Sequence, residues 1–409
     1  MEEVDDELEN QRVITLLEAL KNASKGLQSN PISLSYNTNP KTTVEALSKL
    51  EAEAGTVLSR DPKFFNLSQL IRNLKALLEK LEKSQGYGLK SILHRQITNY
   101  KIAGVAYTTE AEVQALLDRR IIQCLVTALT ESEDEFKKVT ILIEFRNRVR
   151  QGFDRGFQDL VLQAKVFSIM ESILCNSSCS ESVRAEAALV VDALVRFNKN
   201  VFVGLVFMGP TVGALISMGS CCSIKVLCSL IEFIRTPLID EMESSGQLPR
   251  IIHLLSSENW SIGAAALDCI LELAYFGRKE VIETMLGEDL VEKLMELQRF
   301  DRGSSVPEKE TGGVSAETEA ETKMGNKDSD NPQNYPFESC VTRFAVQLEV
   351  GEGLNRIEKR EFKRDILRRV REASVSDSES ATIEAEMVFV EDIGWRCCSA
   401  GSDGVIISI

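Results

Sequence analysis

The chain is poor in the residues from which most catalytic centres are assembled. Its 409 residues include two histidines and two tryptophans, and aromatic side chains make up 6%. A Ser-His or Cys-His mechanism would have to recruit His94 or His253, and each lies in an apolar-periodic stretch without a nucleophile motif nearby. There is no Gly-x-Ser-x-Gly elbow, no Gly-x-x-x-x-Gly-Lys phosphate loop and no His-Glu-x-x-His helix. Neither an enzyme nor a bound cofactor is expected. Proline is scarce as well, at nine, and several stand where helices would have to stop. The ten cysteines are thinly spread. Cys124, Cys228 and Cys269 have core-like neighbours and read as buried thiols of a reducing compartment. Cys221-Cys222 and Cys397-Cys398 are adjacent pairs without the two-residue spacing of a zinc site, so no metal site is expected. Positive charge is the remaining shortage: 47 Lys and Arg face 62 Asp and Glu, a net −15. That balance argues against a general nucleic-acid binder, which needs a positive surface for phosphates. The first residues, Met1-Glu-Glu-Val-Asp-Asp, are acidic where a secretory signal would be basic and then apolar, so a cytoplasmic or nuclear location is expected.

What the chain does have is apolar residues, 44% of the total, spaced by three and four. No region alternates over strand length, so the fold class expected is all-α. Residues 1 to about 105 contain helical patterns near Leu8–Leu20, Thr43–Leu58, Asn66–Lys83 and Leu89–Tyr100, an N-terminal helical region. Leu67, Leu70, Leu74, Leu77 and Leu81 draw one seam at strict 3-4-3-4 spacing. Two heptads are short for a coiled coil. The seam reads as an intramolecular bundle contact, with dimerisation as the alternative.

From about residue 108 self-similarity appears. Leu142-Ile143-Glu144-Phe145 returns as Leu230-Ile231-Glu232-Phe233 and as Ile270-Leu271-Glu272-Leu273, steps of 88 and 40 residues. One step is a single repeat and the other a double one, leaving room for a diverged copy near Leu189–Phe197, where Glu is absent. Short apolar helices keep the same time: Cys124–Leu129, Phe167–Leu174, Val212–Met218, Leu248–Leu255 and Leu290–Leu297, each before a longer one. This predicts a repeated helix-turn-helix unit. No single unit could bury its apolar faces alone, so stacking is required.

The stretches Gly246-Gln-Leu-Pro-Arg-Ile-Ile-His-Leu-Leu, Ile262-Gly-Ala-Ala-Ala-Leu-Asp-Cys-Ile-Leu-Glu-Leu-Ala and Arg278-Lys-Glu-Val-Ile-Glu-Thr-Met-Leu resemble one armadillo repeat with the first helix of the next. Arg343-Phe-Ala-Val-Gln-Leu-Glu-Val-Gly-Glu-Gly-Leu and Arg371-Glu-Ala-Ser-Val-Ser-Asp look like the closing segment of plant armadillo-repeat proteins, relatives of U-box ligases that lack the ligase domain. The resemblance covers roughly 108–300 and 337–390. It implies an armadillo-type α-α superhelix that binds proteins as a scaffold or adaptor. Three departures limit it. Glu144, Glu232 and Glu272 stand where peptide-binding relatives carry a groove Asn. The Trp ladder is missing, with Trp260 expected in a turn before its helix and Trp395 near the C-terminus. Pro31-Ile-Ser-Leu resembles the opening of a U-box, but the elements that should follow are absent, so a ligase role survives only as a substrate-recognition module without its own U-box.

Residues 301–336 are Gly-, Ser- and Glu-rich and are expected to be a disordered acidic insert, because so little apolar surface cannot offset the entropy of ordering it. Phe337–Glu349 and Asn355–Ala373 resume helix as capping helices within 337–395, and 396–409 reads as a flexible tail. No charge occurs between Lys199 and Lys225. Val201–Met218 therefore has the apolar length for a membrane span, yet Gly209-Pro210 breaks it and a buried repeat is the reading preferred. Phe362, Ile366 and Val370 make residues 359–371 an amphipathic helix with a cationic face: a nuclear-localisation signal, a contact for an acidic partner, or, the reading preferred, a cap whose outer face must be polar. The candidate binding residues are Glu144, Glu232 and Glu272. Stacked repeats would align them as an acidic stripe facing a basic or helical segment of another protein.

Overall fold

The computed structural model describes residues 2–29, 64–83, 88–304 and 336–397. These residues form α-helices and turns, with no strand among them. The pattern at Thr43–Leu58, the Pro31 segment, nearly all of the acidic insert and the tail past Cys397 lie outside the described residues. The chain divides into two compact units, 1–145 with 153–166 and 146–152 with 167–409.

In the first unit three helices share one core: α1 (Glu2–Ser29), α2 (Phe65–Lys83) and α3 (Leu89–Glu131). Their buried residues recur at helical spacing: Val13, Leu17, Leu20 and Leu27 on α1, and Ile102, Ala106, Val113 and Leu116 on α3. The seam of α2 is Leu67, Ile71, Leu74, Leu78 and Leu81. Leu67, Leu74 and Leu81 of the leucine repeat are buried, whereas Leu70 and Leu77 sit half-buried and their places in the seam are taken by Ile71 and Leu78, one residue on. Both α1 and α2 pack on α3. Each fully buried Leu contributes roughly 1.5–3 kcal/mol of transfer free energy, which makes this packing, and not intrinsic propensity, the source of the bundle's stability. Two expectations change here. The helices read at Leu89–Tyr100 and Cys124–Leu129 are ends of one 43-residue helix. Gly104 alone does not break it, and the boundary drawn near residue 105 falls inside it. Cys124 is exposed, because a helix this long turns one residue of an apolar run outward while Ile122 and Leu125 face in. The unit also holds the start of α4 (Glu135–Arg150) and α5 (Arg155–Gln163), where Phe145 and Phe157 meet at 5.8 Å.

The second unit repeats a three-helix motif. Its members are α6 (Val166–Cys175), α7 (Glu181–Phe197), α8 (Lys199–Met208), α9 (Thr211–Met218), α10 (Cys221–Ile234), α11 (Thr236–Ser244), α12 (Leu248–Leu254), α13 (Trp260–Phe276), α14 (Lys279–Gly287) and α15 (Leu290–Ser304). The long helices α7, α10 and α13 begin 40 and 39 residues apart, at Glu181, Cys221 and Trp260, and each packs on the next. Between them run two short helices per repeat, α8 with α9 and α11 with α12, where the sequence reading expected one. Polar caps set the phase. Ser220 and Ser223 form a capping box on α10, Asn259 accepts from the Ser261 amide at the start of α13, and Gly219 closes α9 at φ +55°, a region costly for any side chain. The diverged copy is α7. Trp260 is the first residue of α13 and not part of a turn.

Val201–Met218 forms α8 and α9, bent by 71° at Gly209-Pro210; among the described residues no single helix is long and apolar enough to cross a membrane. Phe202, Val206, Leu215 and Ile216 are buried in the stack. After the insert come α16 (Cys340–Val350), α17 (Arg356–Ala373) and α18 (Asp377–Cys397). α16 packs on α13 as the next long helix, and α17 buries Phe362, Ile366 and Val370. Asn355 starts α17 with a capping box to Glu358. An all-α solenoid of armadillo type with an N-terminal helical bundle follows from this pattern: long helices stack on long helices at a 40-residue period.

Candidate protein-binding face

The long helices α7, α10, α13 and α16 place side chains in rows that run across the repeats. In the first row Arg146 pairs with Glu186 at 3.2 Å, and Arg343 with Asp268 at 3.8 Å. Between them Lys225 is near enough to lower both the Cys222 thiol and the Asp268 carboxyl, although burial outweighs it and raises each. Positive and negative side chains thus alternate and largely neutralise one another.

The second row is different. On α7, Asp192 is buried and accepts from Arg196 at 3.1 Å and from the Ser229 hydroxyl. Ser229 in turn accepts from Arg196 at 2.6 Å. This Asp stands 40 residues before Glu232, so the diverged repeat keeps a carboxylate in shorter form. A search for Glu passes over it; the 40-residue step finds it. One helix further on, Glu232 is exposed, and beside it on α13 Glu272 is half-buried. Neither has an ion-pair partner among the described residues. Burial, then the charges of Glu232 and Asp268, push the Glu272 carboxyl up to about 7. Behind this pair, burial raises the thiols of Cys228 and Cys269 far above the ordinary range, which leaves them protonated and inert as nucleophiles.

At the C-terminal ends of the long helices each repeat supplies a cap to its neighbour. Lys199 donates to the Phe233 carbonyl at 2.8 Å and lies 5.2 Å from the centre of its ring, with Arg196 at 5.3 Å. Arg235 sits 5.2 Å over Phe276 and reaches Glu352 at 3.4 Å. The amides of Glu352 and Gly353 donate to the Tyr275 carbonyl. Carbonyls that a helix end leaves without partners are satisfied in this way by the adjacent repeat.

The face is therefore a neutralised row, a row with two carboxylates left over, and a rim of cations on aromatic rings. Such a surface can hold an ammonium or guanidinium group, and no His, Cys, Asp and Glu cluster among the described residues has metal-binding geometry. Of the three glutamates singled out in the sequence, Glu232 and Glu272 come together. Glu144 is exposed on the portion of α4 that belongs to the first unit and is described there alone. His94 and His253 are both exposed.

No family model matches the chain, and no curated protein matches it. Among solved structures it is similar to an engineered protein at 12% identity, over 68% of this chain and 97% of that one, with a TM-score of 0.43. It is similar also to a designed armadillo repeat protein at 14% identity, over 66% and 99%, with a TM-score of 0.41. A third is a designed armadillo repeat protein in complex with the peptide (KR)4, at 15% identity, over 66% and 98%, with a TM-score of 0.42.

Proposed function

We propose that the chain is a non-enzymatic scaffold or adaptor whose long-helix face takes a basic or helical segment of another protein, with Glu232 and Glu272 as the anchoring contacts. The observation that carries this reading is the crowding of Glu232 and Glu272, which lack an ion-pair partner among the described residues while Glu186 and Asp268 of the neighbouring row are paired with Arg146 and Arg343. An incoming Lys or Arg relieves their repulsion, so the protein gains more from that cation than from one meeting an isolated surface carboxylate. On this reading it works in the reducing environment of the cytosol or nucleus.

The test is fluorescence anisotropy of labelled peptides of equal length, one Lys- and Arg-rich and one Glu-rich, titrated with the full chain. The basic peptide is expected to bind in a salt-sensitive way, and E232K/E272K to weaken it at least tenfold, about 1.4 kcal/mol. Equal binding to wild type and the charge-reversed variant would remove the reading. The resemblance to plant armadillo proteins supports a narrower version, a substrate-recognition module for a ligase supplied by another chain. An autoubiquitylation assay of the purified chain with a conjugating enzyme is then expected to be blank.

A further inference from the structure

The face of α3 that looks away from α1 and α2 carries a second seam. Leu93, Ile97, Tyr100, Gly104, Tyr107 and Ala111 follow one another at 4-3-4-3-4 spacing, the repeat that keeps a stripe facing a partner helix. Leu93 is 61% exposed, Ile97 47%, Tyr100 73% and Tyr107 66%, with Leu89 and Ile92 exposed alongside. On a helix that buries Ile102, Ala106, Val113 and Leu116 inward, these large apolar groups lie outside the core that the described residues form.

Gly104 sharpens the point. A glycine inside a helix costs roughly 0.5–1 kcal/mol relative to alanine, yet a Cβ added here would meet no atom within 4 Å. Nothing among the described residues asks for glycine at this position. A helix approaching from outside would, because the missing side chain leaves a notch between Tyr100 and Tyr107.

We infer that this seam is the interface of an antiparallel homodimer, in which α3 of one chain lies along α3 of a second copy. A two-fold axis near residue 102 sets Tyr100 of each copy over Gly104 of the other, Ile97 beside Tyr107, and Leu93 beside Ala111. At the centre and at the ends of the seam a large side chain meets a small one, as close packing requires. Because the axis repeats each contact, one stripe serves both partners. A parallel arrangement in register would stack tyrosine on tyrosine and leave a void at the glycines. The stripe runs roughly 27 Å, at about 1.5 Å per residue. Its exposed apolar groups offer on the order of 700 Å² per copy, against about 800 Å² per partner in a standard stable interface.

Sedimentation equilibrium of the full chain at about 50 micromolar, above the micromolar dissociation constants that interfaces of this size reach at their weakest, is expected to give twice the monomer mass. Gly104→Glu places a helix-favouring but charged side chain in the notch. It is expected to give a monomer with undiminished helical circular dichroism. Tyr100→Ala with Tyr107→Ala changes only exposed groups and is expected to weaken dimerisation at least tenfold with the fold intact. A monomeric wild type, as would result if another stretch of the same chain covered the seam, overturns the inference. So does a dimer indifferent to both variants.

Discussion

Glu272 is the residue at which local electrostatics and the proposed function meet. Its folded-state carboxyl titrates near 7, well above the ordinary value of 4.5, through burial and the charges of Glu232 and Asp268. Between those two pH values the folded chain holds a proton that the unfolded chain has released, so stability falls as pH rises through the window and the full penalty is present above it. Glu272→Gln removes the charge. It is expected to stabilise the protein at pH 8 by about 1 kcal/mol, once solvent screening of a partly exposed group is allowed for, and by almost nothing at pH 5. Urea denaturation at the two pH values checks this, and a gain that is the same at both would dismiss the crowding account. The glutamates were legible in sequence because a tetrapeptide repeats around them, and the repeat in which Asp192 sits was legible as a gap in the double step from Glu144 to Glu232. The pairing of Asp192 with Arg196, four residues on in the same helix, has a sequence signature; its bond from Ser229 does not, since that contact joins neighbouring helices whose lateral register no single segment encodes. The exposure of Cys124 escaped for a related reason: an apolar neighbourhood in sequence does not state which way one residue of a long helix points.

At the scale of the element, stops and caps decided which readings held. The 40-residue period, the break at Gly209-Pro210 and the start of α17 at Asn355 each have a local signature that works without tertiary context. The division of every repeat into three helices rested on weaker signals, such as the cap Asn198 before α8 and the left-handed Gly246 before α12. In α3 the signal misled in the other direction, because a single glycine costs a helix too little to end it once α1 and α2 pack along its length. The turn after α16 shows what a required glycine looks like by contrast. A Cβ at Gly353 would lie 2.0 Å from the Gly277 carbonyl oxygen, and one at Gly351 2.4 Å from that of Tyr275. Both clashes are with backbone, so no side chain can swing aside. Gly353→Ala is therefore expected to cost at least about 2 kcal/mol, in the class of severe strain, and to loosen α16 from α13. Thermal unfolding measures the cost; a change within about 0.5 kcal/mol, the range of ordinary surface substitutions, would mean that the turn is not pressed against α13.

At the scale of the molecule the question is how far a disturbance travels. In a stack each repeat touches only its neighbours, so stability is close to a sum of local terms, whereas one shared core would spread a local loss everywhere. The C-terminal cap allows the two to be separated. Arg299 on α15 donates to Glu379 at 2.7 Å and 3.0 Å, and to the Ala373 carbonyl that ends α17 at 2.6 Å. Nearby, Asp301 accepts from the Phe337 amide at 3.2 Å, and the Phe337 ring meets Trp260 edge-on at 4.7 Å, so the chain leaves α15 and re-enters the fold at one place. Arg299→Ala deletes a two-pronged ion pair and strands a helix-terminal carbonyl, a loss of roughly 1–2 kcal/mol for groups that are partly exposed. Native-state hydrogen exchange is expected to show amide protection in α16, α17 and α18 reduced about tenfold, while α7, α8 and α9 keep theirs. A uniform fall across all six helices would mean one cooperative core in place of a stack, and the long-helix face, whose rows exist only because repeats are laid side by side, would lose its structural basis.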